Sequence, residues 1–175
     1  MSKVVVKKAG KKGKGLFATK DFRKGEFILR VDLTKLKEHK CKECKNTPDD
    51  EAHIDYVGRG KYIITYHPYS YINHSCNPNV IVKHETIARS SFFAMNNIKK
   101  GEELTYDYGV NAMDQFDELD WIFLCKCGSK QCRKKVHCNF FKQTIAVQKR
   151  YFKYLPSSIK RKYRKKFEKV QNRKA

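Results

Sequence analysis

The chain has 175 residues, room for one domain with a terminal appendage and enough length to bury a real core. Its net charge of +21 is unevenly placed: residues 126–175 hold 18 of the 39 Lys and Arg against the single acid Glu168, while residues 1–125 hold 21 against 17. No apolar run reaches the ~18 residues that a bilayer-spanning helix needs, and residues 1–8 lack the apolar stretch and cleavage site of a secretory signal, so membrane and secreted classes are set aside and an intracellular protein, nuclear or cytoplasmic, is expected.

In chain order, Val4, Val5 and Val6 read as a short strand, residues 10–15 (Gly-Lys-Lys-Gly-Lys-Gly) as a basic turn, and Leu16, Phe17, Ala18 and Thr19 as a second strand. Residues 21–29 read as a charged turn followed by Gly-Glu and a strand, and the same grammar returns at residues 98–104. Two occurrences make a recurrent hairpin device, short of a repeat architecture. Residues 34–55 are polar and charged, and 54–64 form a hairpin pattern around Gly58-Arg59-Gly60. The run Val80-Ile81-Val82-Lys83, then Ile87-Ala88 and residues 91–94, continues the short strands, so a mainly β, β-rich α+β fold is expected. Residues 111–121 are acidic and partly helical in pattern. From Phe140 onward the period changes: Phe141, Ile145, Tyr151 or Phe152, and Leu155 suit a helix face, and Pro156 breaks it. Ser157 or Ser158 is placed to cap a second helix carrying Ile159, Tyr163, Phe167 and Val170, with Lys and Arg on its other face. That basic extension has two readings, a well-solvated tail or attraction to a polyanion such as nucleic acid or an acidic protein face.

Three stretches carry chemistry. Residues 73–79 (Asn-His-Ser-Cys-Asn-Pro-Asn) follow a tyrosine-rich run and combine turn-forming residues with ligand-orienting side chains and a thiol. Thirty residues on, 101–109 place Tyr106 and Tyr108 two positions apart; alternate residues of a strand share a face, so the pair can wall a narrow aromatic channel, with Asp107 turned the other way in a structural role. Cys125, Cys127 and Cys132 then supply three thiolates within eight residues, and structural zinc wants four ligands in a tetrahedron. Local candidates for the fourth are Cys138 and His137. The Cys41-x-x-Cys44 pair, with His39 and His53 nearby, is half a site at best and is read as a surface loop with incidental thiols.

In this order, the Asn-His turn, the Tyr-Asp-Tyr strand end and the C-x-C-x4-C cluster closely resemble the SET-domain protein-lysine methyltransferases with a post-SET zinc segment. The resemblance covers roughly residues 4–138. It implies a SET β-clip, small curved sheets around a knot-like crossing of the Asn73 and Tyr108 segments, over residues 1–124 with a variable insert at about 34–55. A post-SET zinc segment at 125–138 and a basic helical extension at 139–175 would follow. It implies S-adenosylmethionine as cofactor, held at Lys14, Gly15 and Leu16 (the Gly-x-Gly-Leu-Phe-Ala stretch), Tyr71, Asn73, His74 and Tyr108. Tyr108 would stand closest to methyl transfer, and Tyr106 would limit the number of methyl groups added, favouring monomethylation. The resemblance makes Cys76 the fourth zinc ligand beside Cys125, Cys127 and Cys132. It makes the acids Asp114, Asp117, Glu118 and Asp120 one wall of a peptide groove.

The sequence departs from the family pattern at Ser70, where many relatives have arginine, and at Arg133-Lys134-Lys135, where a glycine is common. The expected substrate is a basic, lysine-containing protein, histone-like or DNA-associated, with nucleic acid or a nucleosome as a partner of the basic tail and a monomer as the working form. The rival readings are a catalytically silent SET-like binding module and a basic, zinc-containing nucleic-acid-binding protein.

Overall fold

The computed structural model describes residues 2–40, 53–58, 61–86, 88–110, 122–137, 139–155 and 157–172. Within them lie twelve strands: β1 (Val4–Lys8), β2 (Lys14–Ala18), β3 (Phe27–Asp32), β4 (His39–Lys40), β5 (Ile54–Gly58), β6 (Lys61–Ile64), β7 (Asn73–His74), β8 (Val80–Thr86), β9 (Arg89–Ala94), β10 (Glu103–Tyr106), β11 (Ile122–Leu124) and β12 (Lys135–His137). Three helices close the chain: α1 (Ile145–Phe152), α2 (Ser157–Lys162) and α3 (Arg164–Asn172). The strand-rich expectation holds. The Cys41–Cys44 pair, the acidic residues 114–120 and Cys138 lie outside the described residues.

The strands form four small sheets, ordered β1-β2-β10-β7, β3-β9-β8, β4-β6-β5 and β11-β12. All pairings but one are antiparallel among the described residues. The exception joins β10 and β7 side by side, with Thr105 opposite Asn73 and Tyr106 opposite His74. Beyond the strand ends, Ser75 N–H donates to the Tyr106 carbonyl at 3.0 Å, so the two motif segments run together. The repeated Gly-Glu device has a physical role at both sites. Gly25 and Gly101 take φ of +83° and +89°, a left-handed turn that glycine adopts without strain. Glu26 and Glu102 then accept the backbone N–H groups of Arg23 and Lys99, each at 3.0 Å.

The apolar run 80–82 is a strand buried on both faces. Val80 and Val82 join Leu16, Ile72, Phe92, Ile98 and Leu104 in the main core. Ile81 points to the other side, into a second core built by Phe140, Tyr151, Leu155, Ile159, Tyr163 and Phe167. The β3-β9-β8 sheet is therefore a wall shared by the main core and the C-terminal helices. The helical pattern expected from residue 141 is broken up. Residues Phe140–Lys142 form one 3-10 turn, and α1 starts only after Thr144, whose Oγ1 accepts Val147 N–H at 3.4 Å. Leu155 is buried beyond the end of α1. Ser157 is the first residue of α2, and the single helix expected over 159–170 is interrupted at Tyr163 into α2 and α3. Its four apolar positions are nevertheless all buried, because a short interruption leaves the near-helical spacing of side chains in place.

Candidate active site and metal centre

Strand β10 ends at Tyr106, and Tyr108 opens a 3-10 turn, Tyr108–Val110. The turn, more than strand alternation, brings the two rings together, with centroids 4.8 Å apart. Tyr106 rests edge-on against Phe92, and Tyr108 packs on both His74 (5.3 Å) and Phe123 of β11 (5.9 Å), which themselves meet edge-on at 4.9 Å. The Tyr108 hydroxyl donates to the Ile72 carbonyl at 2.8 Å. Burial, and the charges of Glu103 and Asp55 after it, push the Tyr108 phenol up to about 12, so it stays protonated at neutral pH.

His74 is buried and has both ring nitrogens engaged. Nδ1 accepts the Tyr108 N–H at 3.1 Å, which leaves the proton on Nε2, 3.3 Å from the Cys76 sulfur. Burial lowers its pKa to about 4 against the opposing charge of Asp107, so the ring is neutral. With both nitrogens spent inside the protein, His74 has only its backbone to offer a ligand. Asn73 is similar in part: its amide nitrogen donates to the Lys14 carbonyl at 3.0 Å and to Glu103 Oε1 at 2.7 Å, leaving Oδ1 and the backbone.

Gly15 stands against this pair. A Cβ built there would fall 2.9 Å from Ala9 Cβ and from Glu103 Oε1, and 3.0 Å from Asn73 Nδ2, so only glycine lets β2 lie so close to the Asn73 turn. Beside it the Lys14 ammonium sits 5.6 Å from the Tyr71 ring centroid, and Lys12 pairs with Glu103 at 2.7 Å. Leu16 is fully buried opposite Leu104; its side chain is core, which leaves only its backbone to meet a ligand.

The four predicted metal ligands converge. The sulfurs of Cys76, Cys125, Cys127 and Cys132 all lie within 4.8 Å of one another, and Cys76 Sγ to Cys125 Sγ is 3.8 Å. That separation is the edge of a tetrahedron with zinc–sulfur bonds of about 2.3 Å. His137 is held instead in the β11-β12 pair, opposite Ile122. Four thiolates around one divalent ion leave net negative charge, and Arg133 answers it. Its backbone N–H and its Nε both point at Cys76 Sγ from 3.4 Å.

Arg133 is the chief functional residue that the sequence did not announce. Its guanidinium also donates to Asp107 Oδ1 at 2.5 Å and to Gln143 Oε1 at 2.6 Å. Asp107 is 2% exposed and accepts the Gly109 N–H at 3.0 Å. Gln143 in turn donates to the carbonyls of Gly109 and His137. One buried network thus ties the zinc-type cluster, the Tyr108 turn and the start of the helical extension. In sequence Arg133 is one cation in a basic run, and nothing local separates it from its solvated neighbours. Ser70, at the position where an arginine was noted as common, bonds His53 Nδ1 at 2.9 Å, and Tyr69 donates to Asp55. Burial raises the Asp55 carboxyl to about 6 against the lowering effect of that bond.

Comparison with known proteins agrees with this geometry. The SET domain family model matches residues 13–109. The chain is 34% identical over 146 residues to histone-lysine N-methyltransferase ASHH3 of Arabidopsis thaliana, covering 77% of this chain and 38% of that protein. It is 35% identical over 142 residues to histone-lysine N-methyltransferase trithorax of Drosophila virilis, and 30% identical over 131 residues to histone-lysine N-methyltransferase 2D of Homo sapiens. Each of those matches covers 70% of this chain but only 3% and 2% of the relative. The chain therefore spans well under half the length of these relatives. With the matched region reaching from the glycine turn before β2 through the Tyr106–Tyr108 pair, this chain belongs to the SET domain family.

Proposed function

We propose that the chain transfers a methyl group from S-adenosylmethionine to a lysine side chain of a basic, histone-like or DNA-associated protein. The observation that carries this reading is the parallel contact of β7 with β10, which sets the Tyr106–Tyr108 pair beside Asn73 and His74, with Gly15 packed against Asn73. The named activity of the relatives, histone-lysine methylation, supports the substrate class.

Residues gathered here suit such a cofactor: the Lys14 ammonium, 5.6 Å from the Tyr71 ring, and Glu103, bonded to the Asn73 amide and paired with Lys12, offer opposite charges for the carboxylate and ammonium of its amino-acid end. Lys14, Gly15, the Leu16 backbone, Tyr71, Asn73 and the His74 backbone are the residues assigned to hold it. When bound, the cofactor supplies an electrophilic methyl group on a sulfonium. The protein's part is to deliver a neutral amine in line. A lysine in water has a pKa of ~10.4. Walls made of Tyr106, Tyr108 and Phe123 disfavour its charged form, so deprotonation is favoured without a carboxylate base. Tyr108 orients the amine and excludes water, and Tyr106 limits the space behind it. Cys76, Cys125, Cys127 and Cys132 are assigned as ligands of one structural zinc. Held there, the ion would fasten residues 125–132 to Cys76, next to Asn73 and His74.

Incubation with radiolabelled S-adenosylmethionine and a histone mixture, followed by mass spectrometry of the labelled band, tests the reading. Label on a lysine of a basic protein is expected. Absence of label, despite calorimetric binding of the cofactor, would leave a silent binding module instead.

A further inference from the structure

We propose that the exposed face of α2 and α3 is a docking surface for duplex DNA. Ile159, Tyr163, Phe167 and Val170 are buried, which fixes the rotation of both helices. Arg161, Lys165 and Lys169, at spacings of four, fall on the opposite side and are exposed, with Lys162 and Lys166 beside them. The cations are therefore held on an element docked to the core and are not scattered along a loose tail.

The charge pattern is unlike that of an ordinary solvated helix. Such faces alternate signs, with acid and base four apart supporting each other. Here Glu168, the one acid in residues 126–175, is taken by Arg164 at 3.6 Å. The steps from Arg161 to Lys165, Lys162 to Lys166 and Lys165 to Lys169 are all like-charged, an arrangement that weakens a helix in water. A polyanion laid along the face reverses the sign of that effect. A row of cations one helical turn apart, with Glu168 the one acid beside them and already paired with Arg164, suits a backbone of regularly spaced phosphates better than the irregular charges of an acidic protein. Choosing DNA over other phosphate polymers rests on the proposed action on histone-like substrates, which are held on DNA.

The test uses the full chain and a short fluorescein-labelled duplex of arbitrary sequence, with binding read by anisotropy from about 50 to 200 mM salt. Binding should weaken linearly in log–log form as salt rises. The triple variant Arg161→Gln, Lys165→Gln, Lys169→Gln keeps every buried position. It should bind at least about tenfold more weakly at the low-salt end, with a salt slope shallower by about 2 to 3. Its thermal midpoint should be no lower than that of the unaltered chain, since like-charge repulsion along the helix is relieved, and its methylation of a free peptide should be unchanged. Equal affinity and slope in the triple variant would overturn the proposal. So would binding to phosphatidylserine vesicles without binding to the duplex. Because the duplex is read directly, a chain that binds it but methylates nothing would refute the enzymatic reading alone.

Discussion

Tyr108 carries two constraints at once: its ring packs against His74 and Phe123, and its hydroxyl is committed to the Ile72 carbonyl. Tyr108→Phe keeps the ring packing and removes only that hydroxyl. Turnover is expected to fall by about 10²-fold, the scale of one lost transition-state donor, with cofactor affinity little changed; steady-state kinetics beside calorimetry checks the split. Tyr106 packs against Phe92, and under the proposed function its hydroxyl would take up room behind the amine. Tyr106→Phe should shift the product of long reactions from monomethyl towards di- and trimethyl-lysine, read by mass spectrometry on one peptide. Abundant trimethyl product from the unaltered enzyme would contradict the assigned role. His74 belongs to neither job. A neutral ring bonded to Tyr108 N–H and aimed at Cys76 joins the Tyr108 turn to the cysteine cluster.

At the scale of elements, the segment between β11 and β12 is held by sulfur and by Arg133 more than by its own short strands. Two strands of three residues are marginal alone. Protein purified without chelator is expected to hold one zinc per chain by elemental analysis. Cys127→Ser should lose it and weaken cofactor binding, since a metal site and its local fold form together. Retention of a full equivalent by that variant would rule out Cys127 as a ligand. Arg133 is the other clamp. Its side chain reaches Cys76, Asp107 and Gln143, so Arg133→Gln leaves a buried carboxylate without its partner. A cost of about 3 kcal/mol is expected from breaking such a pair, measured by denaturant unfolding of the zinc-loaded chain.

Across the whole molecule, the two cores share the β3-β9-β8 sheet, with Val80 and Val82 on one side and Ile81 on the other. The basic extension is therefore part of the fold, covering a sheet face that would otherwise meet water. Phe167 packs against Phe140, Phe141 and Phe152 with ring centroids 5.0–5.9 Å apart. Phe167→Ala is expected to lower unfolding free energy by about 3–5 kcal/mol. Deletion of residues 157–175, which a solvated tail would tolerate, should lower the melting temperature as well. An unchanged melting temperature in both variants would mean that the helices do not stay docked in solution.

The segments that the structure brings together, residues 73–79, 101–109 and 125–132, stood out in the sequence through turn chemistry, paired tyrosines and closely spaced thiols, while the roles proposed for them came from the family resemblance. The apolar positions 159, 163, 167 and 170 likewise marked the buried face of the last helices, since their spacing survives the interruption at Tyr163. What spacing could not show was partnership across long stretches of chain. Cys76 meeting Cys125, the β7–β10 contact and the bond of Arg133 to Cys76 each join residues about 30 to 60 apart in sequence, and such meetings depend on the path of the whole chain. The same reason explains why Leu16, Asn73 and His74 were recognisable as site residues while the atoms they leave for a ligand were not. Tertiary packing spends the Leu16 side chain on the core, the Asn73 amide nitrogen on Lys14 and Glu103, and both His74 nitrogens on Tyr108 and Cys76.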